Sequence, residues 1–243
     1  ARFEQIYELY KNDLTALYAF APRALCHQNK TVNLLTASLR EAIYGKTAVG
    51  AWQQGEIITF VNYTNTDSGP IYSSSDAVVI EVGELELPPM TFTTVYTTQA
   101  RQLDKTLELS FSGKFQRLTV RPVHPDGTVD EWREHVVFTP FCDDPEPWRM
   151  IQEARAKVLA RRLPATHEAW QWIKTIKENY FAPISSAFVM TVHKSQGSTF
   201  EHVYVSRDLL YVSERETRNS LLYVAATRAS KSITFGGTNG HGL

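Results

Sequence analysis

The sequence predicts an α/β fold, a parallel sheet flanked by helices, with a smaller all-β unit set into it. Apolar residues recur at helical spacing in residues 1–45 and again in 144–183. Between about Val49 and Pro140 the period shortens to that of strands, with turn signals between the runs. Ala187 to Val192 is a short apolar run of the kind a buried parallel strand shows. It ends in the polar cluster His193-Lys194-Ser195-Gln196-Gly197. Such a cluster at a strand end belongs outside the carboxyl edge of an open sheet, where ligands bind.

In the first segment Phe3, Ile6, Tyr7 and Tyr10 mark one face of a helix. Ala24-Leu25-Cys26 reads as a short strand, followed by the polar turn His27-Gln28-Asn29-Lys30-Thr31. Val32, Leu35 and Leu39 line a second helix ending near Gly45, a residue suited to a helix C-terminus. Strand, polar turn, helix is a phosphate-friendly order, because first-turn amides point outward unpaired. Gly45-Lys46-Thr47 imitates the end of a phosphate loop, G-x-x-x-x-G-K-[ST]. That loop needs glycine where Arg40 stands, and a strand before it, so the match is a coincidence.

Five runs make up the β-rich stretch: 56–61, 77–82, 107–111, 118–120 and 135–138. Turns are expected at Asp67-Ser68-Gly69-Pro70, Pro88-Pro89, Ser112-Gly113 and Pro125-Asp126-Gly127, and Thr91–Thr98 can add a strand. Short strands at this density suggest a small barrel. Helix then returns, with Pro147 in a first turn and Met150, Ala154, Val158 and Leu159 on one face. Thr166 is the expected N-cap of a helix from His167 to about Tyr180, with Trp170, Ile173 and Ile176 inward and Trp172 turned away. After the strand His202–Val205, Ser213 and Glu216 read as a capping box for a helix reaching about Ala226. Thr227 and Arg228 fall at its end, Ser232–Phe235 forms a last strand, and a flexible tail follows from Gly236.

Composition sets the outer bounds. The 243 residues are 43% hydrophobic and 21% charged, ordinary for a soluble protein, and no apolar run approaches the ~20 residues a membrane span needs. Cys26 and Cys142 are the only cysteines, which gives neither a disulfide framework nor a metal site and fits a reducing compartment. The net charge of −1 hides an uneven distribution. Residues 46–147 carry 7 Lys and Arg against 15 Asp and Glu, a net of −8, whereas residues 148–243 carry 13 against 7, a net of +6. The basic share sits with the polar motifs, as expected of a part facing polyphosphate.

About twenty-five residues beyond the first polar motif stands Leu221-Leu222-Tyr223-Val224-Ala225-Ala226-Thr227-Arg228. With Thr191-Val192-His193-Lys194-Ser195-Gln196-Gly197 it resembles motifs VI and V of superfamily 1 helicases. The wording is closest to RecD-like and Dda-type enzymes, T-x-H-K-S/A-Q-G and L-Y-V-x-x-T-R. Asn29-Lys30-Thr31 is similar to their motif IV, with Gln28 where they have threonine. Thr199 departs from the RecD pattern, in which glutamate can meet the ribose.

The resemblance implies the C-terminal half of an ATP-dependent DNA helicase. Residues 1–45 and 141–243 would form a RecA-like second motor domain, interrupted by an SH3-like barrel at 46–140. Arg228 would be the arginine finger, with Gln196, Gly197 and Thr227 also facing nucleotide. Asn29, Lys30, Thr191, His193 and Lys194 would face the nucleic acid. ATP and Mg²⁺ would be used by the intact enzyme, with no metal ligand in this chain. Partners would be single-stranded DNA, tracked 5′ to 3′, the absent first motor domain, and other replication or recombination proteins, in the cytoplasm of a bacterial or phage-infected cell. With no Walker A loop or D-E-x-x run of its own, this chain is expected to be inactive alone. Two other readings stay open: a non-motor module binding nucleic acid or protein, and a RecD-like subunit of a helicase–nuclease complex.

Overall fold

In a computed structural model the described residues are 22–97, 104–124 and 126–236. The helix expected around Phe3–Tyr10 and the tail beyond Gly236 lie outside them. Four parallel strands, β1 (Arg23–Cys26), β9 (Val189–Thr191), β10 (Phe200–Val205) and β11 (Ala229–Phe235), form a sheet in the order β11-β10-β1-β9. Every residue of β1 is buried, and its alternation assigns its two faces. Ala24 and Cys26 join a core with Leu39 of helix α1 (Asn29–Tyr44), and Leu25 joins one with Leu221 and Ala225 of helix α4 (Arg215–Ala226). The chain leaves β1 through α1 and returns to β9 on one side, then steps over to β10 on the other. Strand order therefore reverses across β1, and its carboxyl end is the crevice where such sheets hold ligands.

A second, antiparallel sheet has the order β7-β6-β5-β2-β8. Its strands are β2 (Ile57–Phe60), β5 (Asp76–Thr97), β6 (Asp104–Val123), β7 (His135–Pro140) and β8 (Ile184–Ser186). A separate ribbon pairs β3 (Thr64–Thr66) with β4 (Gly69–Ile71) around the expected turn at Asp67-Ser68. The apolar run before the first motif supplies β9 to the first sheet, while β8, just ahead of it, serves the second.

Two expected turns are absent. Pro88-Pro89 and Ser112-Gly113 lie opposite one another inside a single long hairpin, where pairing passes from Leu87 with Gly113 to Met90 with Phe111. A bulge tolerates prolines, which have no N–H to give to the ladder. Gly113 takes φ 152°, and a Cβ there would stand 3.2 Å from Pro147 and 3.3 Å from the Phe115 ring. The residues 107–111 and 118–120 therefore belong to one strand, not two.

The inner half of the hairpin shares a core with Trp52, Phe60, Ile71 and Val137. The outer half packs Leu107, Leu109, Phe111 and Phe115 against helices α2 (Glu146–Ala160) and α3 (Glu168–Tyr180). On α2 Ile151 is buried, whereas Leu159 is exposed, one helical position off the expected stripe. His167, not Thr166, caps α3, its Nδ1 accepting from the Ala169 amide at 3.1 Å. Trp172 is not turned away: its ring stacks on Phe92 of β5 at 5.7 Å. α4 begins after Glu214 rather than Ser213, with the Thr217 hydroxyl donating to the Glu214 carboxylate at 2.7 Å.

The imitation phosphate loop sits at the end of α1. Gly45 closes that helix with φ 87°, and a short 3-10 turn follows over Lys46–Val49. Arg40, where the loop would need glycine, is buried instead, giving Nε and Nη2 to Glu56 at 2.5 and 3.2 Å. Its guanidinium lies over the Trp52 ring, 4.3 Å from the centroid.

Candidate nucleotide and nucleic-acid site

The first motif forms a strip across the sheet. Thr191 ends β9 opposite Cys26, at the carboxyl edge. Val192–Ser195 then make a 3-10 turn, held by the Ser195 hydroxyl donating to the Val192 carbonyl at 2.7 Å and by the Lys194 amide donating to Thr191 Oγ1 at 3.4 Å. Val192 and Ser195 are buried, so His193 and Lys194 are turned out to solvent. Gly197 takes φ 86°, in the left-handed region, with no atom within 4 Å of where a Cβ would be. Its use is conformational: it redirects the chain past exposed Gln196 toward Phe200, which opens β10 opposite Ala229. Residues 191–199 thus run from the carboxyl edge to the amino edge.

At the amino edge the second motif meets this strip. Arg228 follows the last turn of α4, and its half-buried guanidinium has three neutral acceptors. Nη1 donates to the Ser198 carbonyl at 3.1 Å, Nε to the Val224 carbonyl at 3.3 Å, and Nη2 to Thr227 Oγ1 at 3.0 Å. The Phe200 amide donates to the Arg228 carbonyl at 2.8 Å, so side chain and backbone both clasp the strip. These bonds orient the guanidinium without cancelling its charge. Thr227, exposed, donates its hydroxyl to the Val224 carbonyl at 2.9 Å.

At the carboxyl edge Asn29 and Lys30 stand exposed in the first turn of α1. The residues singled out from the sequence therefore fall into two groups. Asn29, Lys30, Thr191, His193 and Lys194 share the carboxyl edge, while Thr227 and Arg228 lie at the amino edge, tied to the strip just past Gln196 and Gly197. The polar cluster expected outside the carboxyl edge begins there with His193 and Lys194 and runs on, through Gln196 and Gly197, toward the amino edge. Arg228 precedes its strand rather than following one.

Asp208 is a further member of the carboxyl edge that sequence reading passed over. It lies just beyond β10, and its Oδ2 accepts from the backbone amides of His27 and Gln28, both at 3.0 Å. Gln28 gives α1 no side-chain cap, so this carboxylate from the neighbouring strand's loop pins the helix entry. Asp208 Oδ1 and His27 Nδ1 are buried without a protein partner among the described residues. Beneath them the Cys26 thiol is pushed up to about 12, chiefly by burial and then by the Asp208 charge, with a Ser206 hydrogen bond opposing. Cys26 is a protonated core residue. Asp208 could have been found as the acidic residue that follows a buried β run, Val203–Val205, in a doubly wound sheet.

Among the described residues no group of three His, Cys, Asp or Glu side chains is arranged to hold a metal ion.

Residues 186–235 match the family described as the UvrD-like helicase C-terminal domain, a stretch that contains both motifs and β9 to β11. Among solved structures, Pif1 helicase from Bacteroides in complex with ADP-AlF3 and ssDNA is similar at 11% identity and a TM-score of 0.40, over 98% of this chain and 49% of that one. Pif1 helicase from Candida albicans is similar at 11% identity and a TM-score of 0.42, over 98% of this chain and 56% of that one. The chain spans about half the length of these structures. No curated protein matches it.

Proposed function

We propose that this chain, whose residues 186–235 match the UvrD-like helicase C-terminal domain, is the second motor domain of a superfamily 1, ATP-dependent helicase that moves 5′ to 3′ along single-stranded DNA. We assign residues 1–45 and 141–243 to the RecA-like domain and residues 46–140 to the inserted SH3-like barrel; α2, α3 and β8 of the former range pack on the antiparallel sheet of the latter. The single observation that carries the reading is the family match over 186–235, inside which Arg228 clasps the Ser198 carbonyl.

Arg228 is the arginine finger. Its guanidinium stays charged and is aimed by neutral oxygens, so it can neutralise charge developing on a γ-phosphate held by the companion domain. Gln196, Gly197 and Thr227 face the same nucleotide, and Thr199 offers no carboxylate to a ribose. Mg²⁺ held by the companion domain would supply charge neutralisation at the phosphates, and this chain alone is expected not to hydrolyse ATP. Asn29, Lys30, Thr191, His193 and Lys194 meet the strand. The 191–199 strip joins the two sets, so domain closure on nucleotide is felt at the strand end.

The test is Arg228→Ala in the intact protein. ATP turnover collapses while the thermal melting curve stays in place; an unchanged rate rejects the assignment.

A further inference from the structure

A cleft of about 870 Å³ opens between the β3–β4 ribbon and helices α2 and α3, away from the motif strip. Its helical wall carries Arg155 from α2 and Lys174 and Lys177 from α3. Lys174 and Lys177 are three residues apart and so lie on one face of α3. Lys174 reaches Glu178 at 3.7 Å, but both side chains are about two-thirds exposed, and such a pair is weak. The floor includes Trp170, half-buried and fixed by its Nε1 donating to the Leu163 carbonyl at 3.3 Å. The ribbon wall presents Asn62, Asn65 and Tyr63, the last exposed beside Tyr72 with ring centroids 6.2 Å apart.

A helical wall that carries the cations with Trp170 beside them, faced by Tyr63 and amides on the ribbon wall, fits a single strand better than a duplex. Phosphates need a basic rail, unpaired bases need faces to stack on, and amides can meet their edges. Of the acidic residues of the cleft, one faces the cations and one stands among them. Asp67 stands on the ribbon wall, where a phosphate would be repelled, and Glu178 is already beside Lys174. The volume lies within the range of sites that enclose a ligand rather than graze it.

We propose that this cleft is a second binding site for single-stranded nucleic acid, with phosphates along Arg155, Lys174 and Lys177 and bases against Trp170 and Tyr63. The inference rests on the strand-tracking reading above, and it adds a contact that the motor motifs do not supply. Because Arg155 and Lys174 are exposed and Lys177 half-buried, replacing their charges leaves the cores untouched.

The experiment measures binding of a fluorescent oligo-thymidine to the intact protein over a range of salt. The variants are the triple Arg155→Gln, Lys174→Gln, Lys177→Gln and, separately, Lys194→Ala, with melting curves for each. The triple variant is expected to bind about tenfold more weakly at low salt. Its slope of log affinity against log salt falls by about 2, from three lost phosphate contacts at about 0.7 each. An unchanged slope in the triple variant, with Lys194→Ala weakened, overturns the cleft and leaves the motor reading standing. A lowered slope in the triple variant with Lys194→Ala unaffected upholds the cleft and rejects the motif assignment. Equal loss of affinity for a blunt duplex overturns the single-strand assignment.

Discussion

Arg228 and Ser198, thirty positions apart, are joined by a 3.1 Å hydrogen bond from Nη1 to the backbone carbonyl. With the Val224 carbonyl and Thr227 hydroxyl as further acceptors, the bond uses the fork geometry that only arginine has. Arg228→Lys keeps the charge and loses the aim. In steady-state ATPase assays of the intact protein, Arg228→Ala is expected to lower kcat by about 10³ or more. Arg228→Lys should recover little of it. Recovery to near the parental rate would mean that charge alone suffices.

Lys194 stands on the exposed outer side of a turn whose inner side is anchored by Ser195. Lys194→Ala should lower the ratio of DNA-stimulated to unstimulated ATPase in the intact protein, and weaken salt-sensitive strand binding. An unaltered ratio would remove Lys194 from the coupling path.

Asp208 holds two successive amides, and its loss leaves them facing a partly buried crevice. Asp208→Ala is expected to cost about 2 kcal/mol of stability in urea denaturation, and Asp208→Asn about half that, since an amide oxygen still accepts. Equal stability of all three proteins would show that the helix entry does not depend on this carboxylate.

Glu56 is fully buried, and Arg40 supplies its charge partner. Arg40→Ala strands that carboxylate and should destabilise by about 3–5 kcal/mol. Replacing both partners with apolar residues of similar volume should cost much less. A shift of the urea midpoint is the measurement, and an additive double variant would count against a coupled pair.

His135 is buried, with Nδ1 at 2.7 Å from Thr66 Oγ1 in the ribbon. Burial is the first cause holding its pKa below the ordinary histidine value of 6.5, with the Arg133 charge second and Asp130 opposing. A depressed histidine is neutral when folded, so the unfolded chain binds the extra proton first. Stability is full above about pH 6.5 and declines as pH falls from there toward the folded pKa. Melting curves at pH 7.5 and 5.5 should diverge more for the parental protein than for His135→Asn.

The parallel sheet and its two motifs were legible because local chemistry specifies them. Buried apolar runs, a glycine at a redirecting turn and a helix-ending Thr-Arg pair need no distant partner to be read. What stayed hidden depends on residues far away. Pro88-Pro89 reads as a turn until Gly113 supplies the bulge across from it. Trp172 reads as outward until the hairpin brings Phe92 beside it. Asp208 shows no function until folding places it over amides 180 positions back. The segregation of the motifs to opposite sheet edges likewise follows from strand register, which spacing does not encode.

The hairpin of β5 and β6 passes through two separate hydrophobic cores, on a ladder whose register shifts at Val79/Glu81 and at Leu87/Met90. Twenty-two residues of strand reach about 70 Å, so the α2–α3 layer is carried on a boom whose root lies among β2 and β7. Load applied at the far tip arrives at that root as torque, because backbone pairing is stiff along its length. Where the two prolines interrupt the rungs, the boom has its crease, and bending would concentrate there.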